Sequence, residues 1–157
     1  NLLEATLEDD GTGLAVRLAD QVVRLDGAVV ARRPRLRDYV GRRVAIGIRP
    51  EDIRDAALHP EHPVDRRLRA PVRLTEALGS AVVVHFVLDA ATVATDELRE
   101  AHHMEDDLLS AMESGTVCIA SFEPRSRVRP GDTVELAVDT ERVHVFDVES
   151  GVSITTA

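Results

Sequence analysis

The chain has 157 residues, 44% of them hydrophobic but only 3% aromatic, and a formal net charge of −9. That length suits one ordinary domain whose interior is filled by Val, Leu, Ile and Ala, and the acidic balance argues against nucleic acid or an anionic membrane surface as a partner. Every basic residue is Arg, which removes the phosphate-loop lysine and any lysine nucleophile or base.

Cys118 stands alone, so no disulfide framework can form within the chain, and its setting between Val117 and Ile119 reads as a small buried hydrophobe. No apolar run reaches the ~18 residues of a membrane span, and no basic-then-apolar signal segment opens the sequence. Opening on Asn1 rather than Met, the chain is expected to be a piece of a longer protein.

In chain order, Leu3, Ala5 and Leu7 alternate as one face of a strand, and Asp9-Asp10-Gly11 supplies turn chemistry. Leu14, Val16 and Leu18 alternate again, and Val22 to Leu25 follows Ala19-Asp20-Gln21 as another strand. Arg32 to Arg37, with Pro34 inside, is expected to be a solvated connection rather than a helix. Val44, Ile46 and Ile48 alternate with Ala45 and Gly47, giving a strand with one large and one small face, which Pro50 ends. "RDAALHPEHPVDRRLRAP", with three prolines, is expected to be a loop. Val72 and Leu74, the turn Ala77-Leu78-Gly79-Ser80, then Val82, Val84, Phe86 and Leu88 form the strongest hairpin signal.

Leu98, Ala101, Leu108, Leu109 and Met112 instead fall near a helical face, with Thr95 as cap and Gly115 to close it, so an amphipathic helix is expected over 95–113. Strands resume from Val117 to Phe122, and Val134, Leu136 and Val138 share one face of the next. Two stretches align without a gap: "VGRRVAIGIRPEDI" and "PGDTVELAVDTERV". Gly41 meets Gly131, Val44 meets Val134, Ile46 meets Leu136, Ile48 meets Val138, Glu51 meets Glu141 and Ile53 meets Val143. A glycine turn, an alternating strand and an acidic corner are used twice. The expected fold is all-β and antiparallel, with barrel-type sheets made of two related β units, roughly 1–70 and 71–157.

Catalytic patterns are weak. His59 and His62 flank prolines, while His102 and His103 are adjacent and would point about 100° apart on a helix. Neither pair has a zinc framework around it. The paired acids lie in turn or helix-surface contexts, and no nucleophile elbow or phosphate-binding glycine loop occurs. The arginine clusters Arg32-Arg33-Arg35-Arg37 and Arg66-Arg67-Arg69 could hold phosphates or acidic partners, yet lack interleaved aromatics for a nucleic-acid platform.

"VAIGIRPEDI" resembles the signature strand in the C-terminal regulatory region of ATP-binding subunits from bacterial carbohydrate-importing ABC transporters. "NLLEA" is similar to the segment that follows the nucleotide-binding domain there, and "RPGDTVELAVDTERVHVFDVESG" to the closing strand pair. The resemblance covers nearly all of the chain except about 91–116, an insert that, with Arg used for Lys, looks actinobacterial.

That resemblance implies an oligonucleotide-binding-type (OB, TOBE or MOP-like) barrel region without catalysis, appended to an ATPase domain that this chain lacks. It implies no cofactor here, with ATP and Mg serving the parent subunit. Implied partners are a second copy of the subunit, the transporter's membrane subunits and a regulatory protein, with a location in the cytoplasm at the inner face of the cell membrane. Structural or interface candidates are Gly47, Arg49, Pro50, Glu51 and Asp52 in the first motif. Gly131, Asp132, Glu141, Phe146 and Asp147 are further candidates in and after the second, where Glu141 matches Glu51. The expectation is that the polar corner of Arg49, Glu51 and Asp52 pins the two β units together or lies at a subunit contact. Two rival readings are a small-ligand or oxyanion-binding barrel and a metal-dependent enzyme built on the histidines.

Overall fold

The computed structural model describes residues 1–93 and 115–154. The helix expected over 95–113 lies outside these residues. Ten strands are present among them: β1 (Leu2–Asp9), β2 (Leu14–Leu18), β3 (Gln21–Arg24), β4 (Arg43–Gly47), β5 (Ile53–Asp55), β6 (Arg67–Ala77), β7 (Val82–Leu88), β8 (Thr116–Phe122), β9 (Thr133–Val138) and β10 (His144–Asp147). One short helix, α1, spans Gly27–Arg32.

The strands form two five-stranded sheets, ordered β10-β4-β1-β2-β3 and β5-β9-β6-β7-β8. All strand pairs are antiparallel. The two orders are the same pattern written twice, and so is the register. Leu3 faces Ile46 and Ala5 faces Val44 in the first sheet; Leu68 faces Leu136 and Ala70 faces Val134 in the second. After each repeated strand the chain crosses over. From β4 it runs to β5, which pairs with β9 through Ile53 and Val138. From β9 it runs to β10, which pairs with β4 through His144 and Gly47.

The repeated alternation explains the packing. Val44, Ile46 and Ile48 in one copy and Val134, Leu136 and Val138 in the other are all buried. They join one continuous core that draws on both sheets and includes Leu3, Leu68, Phe86 and Phe122. At about 25 cal/mol per Å² of apolar surface removed from water, these aliphatic faces are the main source of stability. Gly41 and Gly131, at matching places before the two strands, take φ of 78° and 91°, a conformation that costs glycine little.

Two expectations need correction. The chain around Arg32–Arg37 is not an open connection: α1 precedes it, and Pro34–Tyr39 forms a 3-10 helix. Asp26 caps α1 by accepting the Ala28 N–H at 2.8 Å, and Val29, Val30 and Leu36 are buried beneath. The stretch from Arg54 to Pro71 is not all loop either, since β5 occupies 53–55 and β6 begins at Arg67.

Pro71 is tolerated inside β6 for a geometric reason. Val72 exchanges backbone bonds with Asp132 and Gly131 on the β9 side. The neighbouring Pro71 nitrogen therefore faces away from β9, toward the β7 side, where the pairing with β7 begins only at Val72 and leaves the preceding stretch open. Arg69 faces the same open side, and its N–H and C=O are taken by the Gln21 side-chain amide at 2.7 and 2.9 Å. Gln21 thereby ties β3 of one sheet to β6 of the other.

Candidate functional site

The two crossovers meet at a polar corner. Arg49-Pro50-Glu51-Asp52 turns tightly after β4, with the Asp52 N–H donating to the Arg49 carbonyl at 3.0 Å. Asp139-Thr140-Glu141-Arg142 makes the matching turn after β9, the Arg142 N–H donating to the Asp139 carbonyl at 3.1 Å. Pro50 opens its turn because a first-turn N–H has no partner to lose. The turns are joined directly: the Asp139 N–H donates to the Asp52 carbonyl at 2.9 Å.

Side chains continue the link. Asp52 is 3% exposed and Arg142, at the corresponding position of the other copy, reaches its Oδ1 at 3.4 Å while also facing Asp139 at 3.5 Å. The second oxygen, Oδ2, is buried without a hydrogen-bond partner, as is the Thr140 hydroxyl. Desolvation pushes the Asp52 carboxyl above its ordinary range; Arg142 and Arg49 oppose the shift, and Asp139 and Glu51 add to it. Glu51 and Glu141 are both exposed.

A carboxamide seals the edge beside the corner. The Asn1 side chain donates to the Ile48 and Ile119 carbonyls at 2.9 and 2.8 Å and accepts from the Ile119 N–H at 2.6 Å. The Asn1 carbonyl also accepts from the Ile48 N–H at 2.9 Å. One residue thus satisfies backbone groups of β8 and of the segment leaving β4.

The structure gathers Arg49, Pro50, Glu51, Asp52 and Glu141 at this corner. Gly47 lies just upstream in β4, where a Cβ would stand 3.4 Å from the Phe146 ring and 3.6 Å from His144. Phe146 and His144 stack with ring centroids 6.3 Å apart. Gly131 and Asp132 lie at the opposite end of β9, where Asp132 accepts the Arg129 N–H at 2.8 Å. Asp147 ends β10 away from the corner and accepts from the Ser150 N–H and hydroxyl, which hold its carboxyl low.

Sequence reasoning missed Asn1, Gln21, Asp139 and Arg142. The signal for Arg142 was available: it aligns with Asp52, and opposite charges at matching positions of a repeat can pair. Among the described residues no group of three or more His, Cys, Asp or Glu is placed to hold a metal ion. His59 instead lies between Glu61 and Glu123, and His85 pairs with Glu76 at 2.9 Å. No helix among the described residues is long and apolar enough to cross a membrane.

Residues 1–53, from Asn1 through the first corner, match the family model of the MalK OB fold domain. That match spans the N-terminal third of the chain. Across 114 residues the chain is 36% identical to the trehalose import ATP-binding protein SugC of Mycobacterium tuberculosis, covering 71% of this chain and 28% of that protein. It is 32% identical over 117 residues to the trehalose/maltose import ATP-binding protein MalK of Thermococcus litoralis, covering 74% of this chain and 25% of the relative. For the oligosaccharides import ATP-binding protein MsmX of Bacillus subtilis the identity is 28% over 120 residues, covering 76% and 26%. The chain thus spans only about a quarter of the curated relatives it matches. Its homologues are ATP-binding subunits of sugar importers, and the OB fold match agrees with the all-β, antiparallel architecture.

Proposed function

We propose that this chain is the non-catalytic regulatory and dimerisation region of the ATP-binding subunit that energises a sugar importer. The observation that carries the reading is the MalK OB fold match over residues 1–53, supported by similarity to import ATP-binding proteins across 71% of the chain. In this reading ATP and Mg are used by a nucleotide-binding domain elsewhere in the parent subunit. The parent works at the inner face of the cell membrane with the importer's membrane subunits, and a regulatory protein acts on it. Two β units, roughly 1–70 and 71–157, act as one body, and the Asp52 corner holds them in fixed relation. Such a body transmits force between two subunits only if the units do not hinge.

Sedimentation equilibrium from low micromolar to near-millimolar concentration tests the dimerisation role. A reversible dimer is expected. A strict monomer throughout that range would place the two-fold contact in other parts of the subunit and leave this region a receiver of signals alone.

A further inference from the structure

Register sets the two faces of the β6–β7–β8 part of the second sheet. Val84, Phe86 and Leu88 of β7 point into the core, as do Cys118, Ala120 and Phe122 of β8. The alternate residues therefore share the outer face. Across it Leu74, His85 and Ile119 stand in one row, with Glu76, Val83 and Ser121 on one side and Val87 and Val117 on the other. A shift in pairing between Val72 and Leu74 is what turns Leu74 outward.

Five aliphatic side chains are thus gathered on one outer face: Leu74, Val83, Val87, Val117 and Ile119. Leu74 is 49% exposed, Val117 44% and Ile119 37%. The other large exposed hydrophobics among the described residues do not share that face. A single exposed valine is ordinary, whereas a contiguous apolar face marks a contact.

The contact is the face and not the strand edge. β8 ends the sheet, but the Asn1 carboxamide takes both the N–H and the C=O of Ile119 on the open side. A strand added along β8 would have to displace it. A partner therefore meets side chains rather than an open ladder.

Charge narrows the partner. The chain carries −9 overall, so two copies repel wherever carboxylates predominate. A two-fold contact is stricter still, because each patch meets its own copy and unpaired charge would face like charge. This face meets that condition. Its carboxylate, Glu76, is already held by His85 Nε2 at 2.9 Å. The Arg67–Glu135 pair of the same sheet lies across β6 toward β9. On the first sheet, by contrast, Glu4, Glu8, Arg17 and Arg43 occupy the outer face.

We propose that two copies of the chain meet through this face, packing the outer surfaces of β6, β7 and β8 against each other across a two-fold axis. The proposal rests on the dimerisation reading above and assigns it a surface. Stacked sheets lie about 10 Å apart, a gap that Leu74, Val117 and Ile119 of both copies fill.

Sedimentation equilibrium of Ile119→Glu beside the unsubstituted chain tests it. The unsubstituted chain should dimerise reversibly. Ile119→Glu should weaken the dimer at least about tenfold, because a two-fold contact brings two new carboxylates together. Val22→Glu, at a comparably exposed position of β3, should leave association unchanged. Mixing Ile119→Glu with Ile119→Arg should restore most of the lost affinity, which damage to the fold could not do. An undiminished dimer in Ile119→Glu would overturn this face and leave dimerisation itself standing. A strict monomer in the unsubstituted chain would overturn both. An equal loss in Val22→Glu would mean that net charge sets association, and would also overturn the face. So would failure to recover on mixing, or a Tm lower by more than about 5 °C in dilute Ile119→Glu, which would mean that the face is covered within the chain.

Discussion

The outermost pair at the equivalent end of each sheet, β2–β3 and β7–β8, is joined in very different ways. In the first sheet, β2 and β3 turn on Ala19 and Asp20 alone, with Leu18 facing Gln21 and Ala19 at φ 52°. In the second, β7 and β8 pair from Leu88 with Thr116, and everything from Asp89 to Gly115 lies between them. The outer faces differ as well. Glu8–Arg17 and Glu4–Arg43 cross strands of the first sheet and Arg67–Glu135 and Glu76–His85 cross strands of the second, but the second also leaves Leu74, Val117 and Ile119 exposed. A repeated backbone therefore fixes core and register, while turns and outer faces are free to diverge.

The largest expected effect probes what the two sheets share. Ile46→Ala and Leu136→Ala remove equivalent, fully buried side chains, and each should cost about 3–4 kcal/mol by urea denaturation. Both should unfold in a single transition, because one core spans the sheets. Separate transitions would make the sheets independent units.

Next comes the long connection. Gly115 holds φ 147°, and a Cβ there would stand 2.6 Å from Val87 and 3.0 Å from the Leu88 carbonyl oxygen. Gly115→Ala should cost about 1–3 kcal/mol in the same assay. A neutral outcome would show that the entry into β8 yields, unlike the two-residue turn of the first sheet.

The smallest effect compares the two corners. A carboxyl raised by burial favours the folded state while protonated. Asp52 therefore contributes stability that is complete below its unfolded value, about 3.9, and is lost as pH rises through its raised folded value. Asp52→Asn removes that loss and should match or exceed the parent at pH 7 by about 1 kcal/mol or less, with the advantage gone near pH 3. A variant clearly weaker at pH 7 would mean that the bond to Arg142 outweighs desolvation.

Much of this was legible in the sequence where alternation runs uninterrupted. Val44-Ile46-Ile48, Val134-Leu136-Val138 and Val84-Phe86-Leu88 read as strands because each buries one face against the same core. Alternation failed where a local signal competed. Leu68 and Ala70 alternate with Arg67 and Arg69 in β6, but Pro71 argued for a loop, and only its place just before the pairing with β7 begins makes it harmless. The α1 helix, six residues long, is too short to show helical periodicity; only its Asp26 cap marks it. At the corner, Asp52 was visible in the motif, but its link to Arg142 depends on strands exchanged between sheets. The Asn1 and Gln21 bonds reach backbone far along the chain, which no local pattern encodes.

The strand exchange also constrains biosynthesis. β4 is complete at Gly47, yet its neighbour β10 does not exist until His144–Asp147 has been made. At about 5–20 residues per second, translation leaves that flank of β4 without its native partner for roughly five to twenty seconds. An open edge strand is a template for pairing with other chains. The form of this protein most in need of a chaperone is therefore the nascent one, with its first sheet built and its last strand still inside the ribosome.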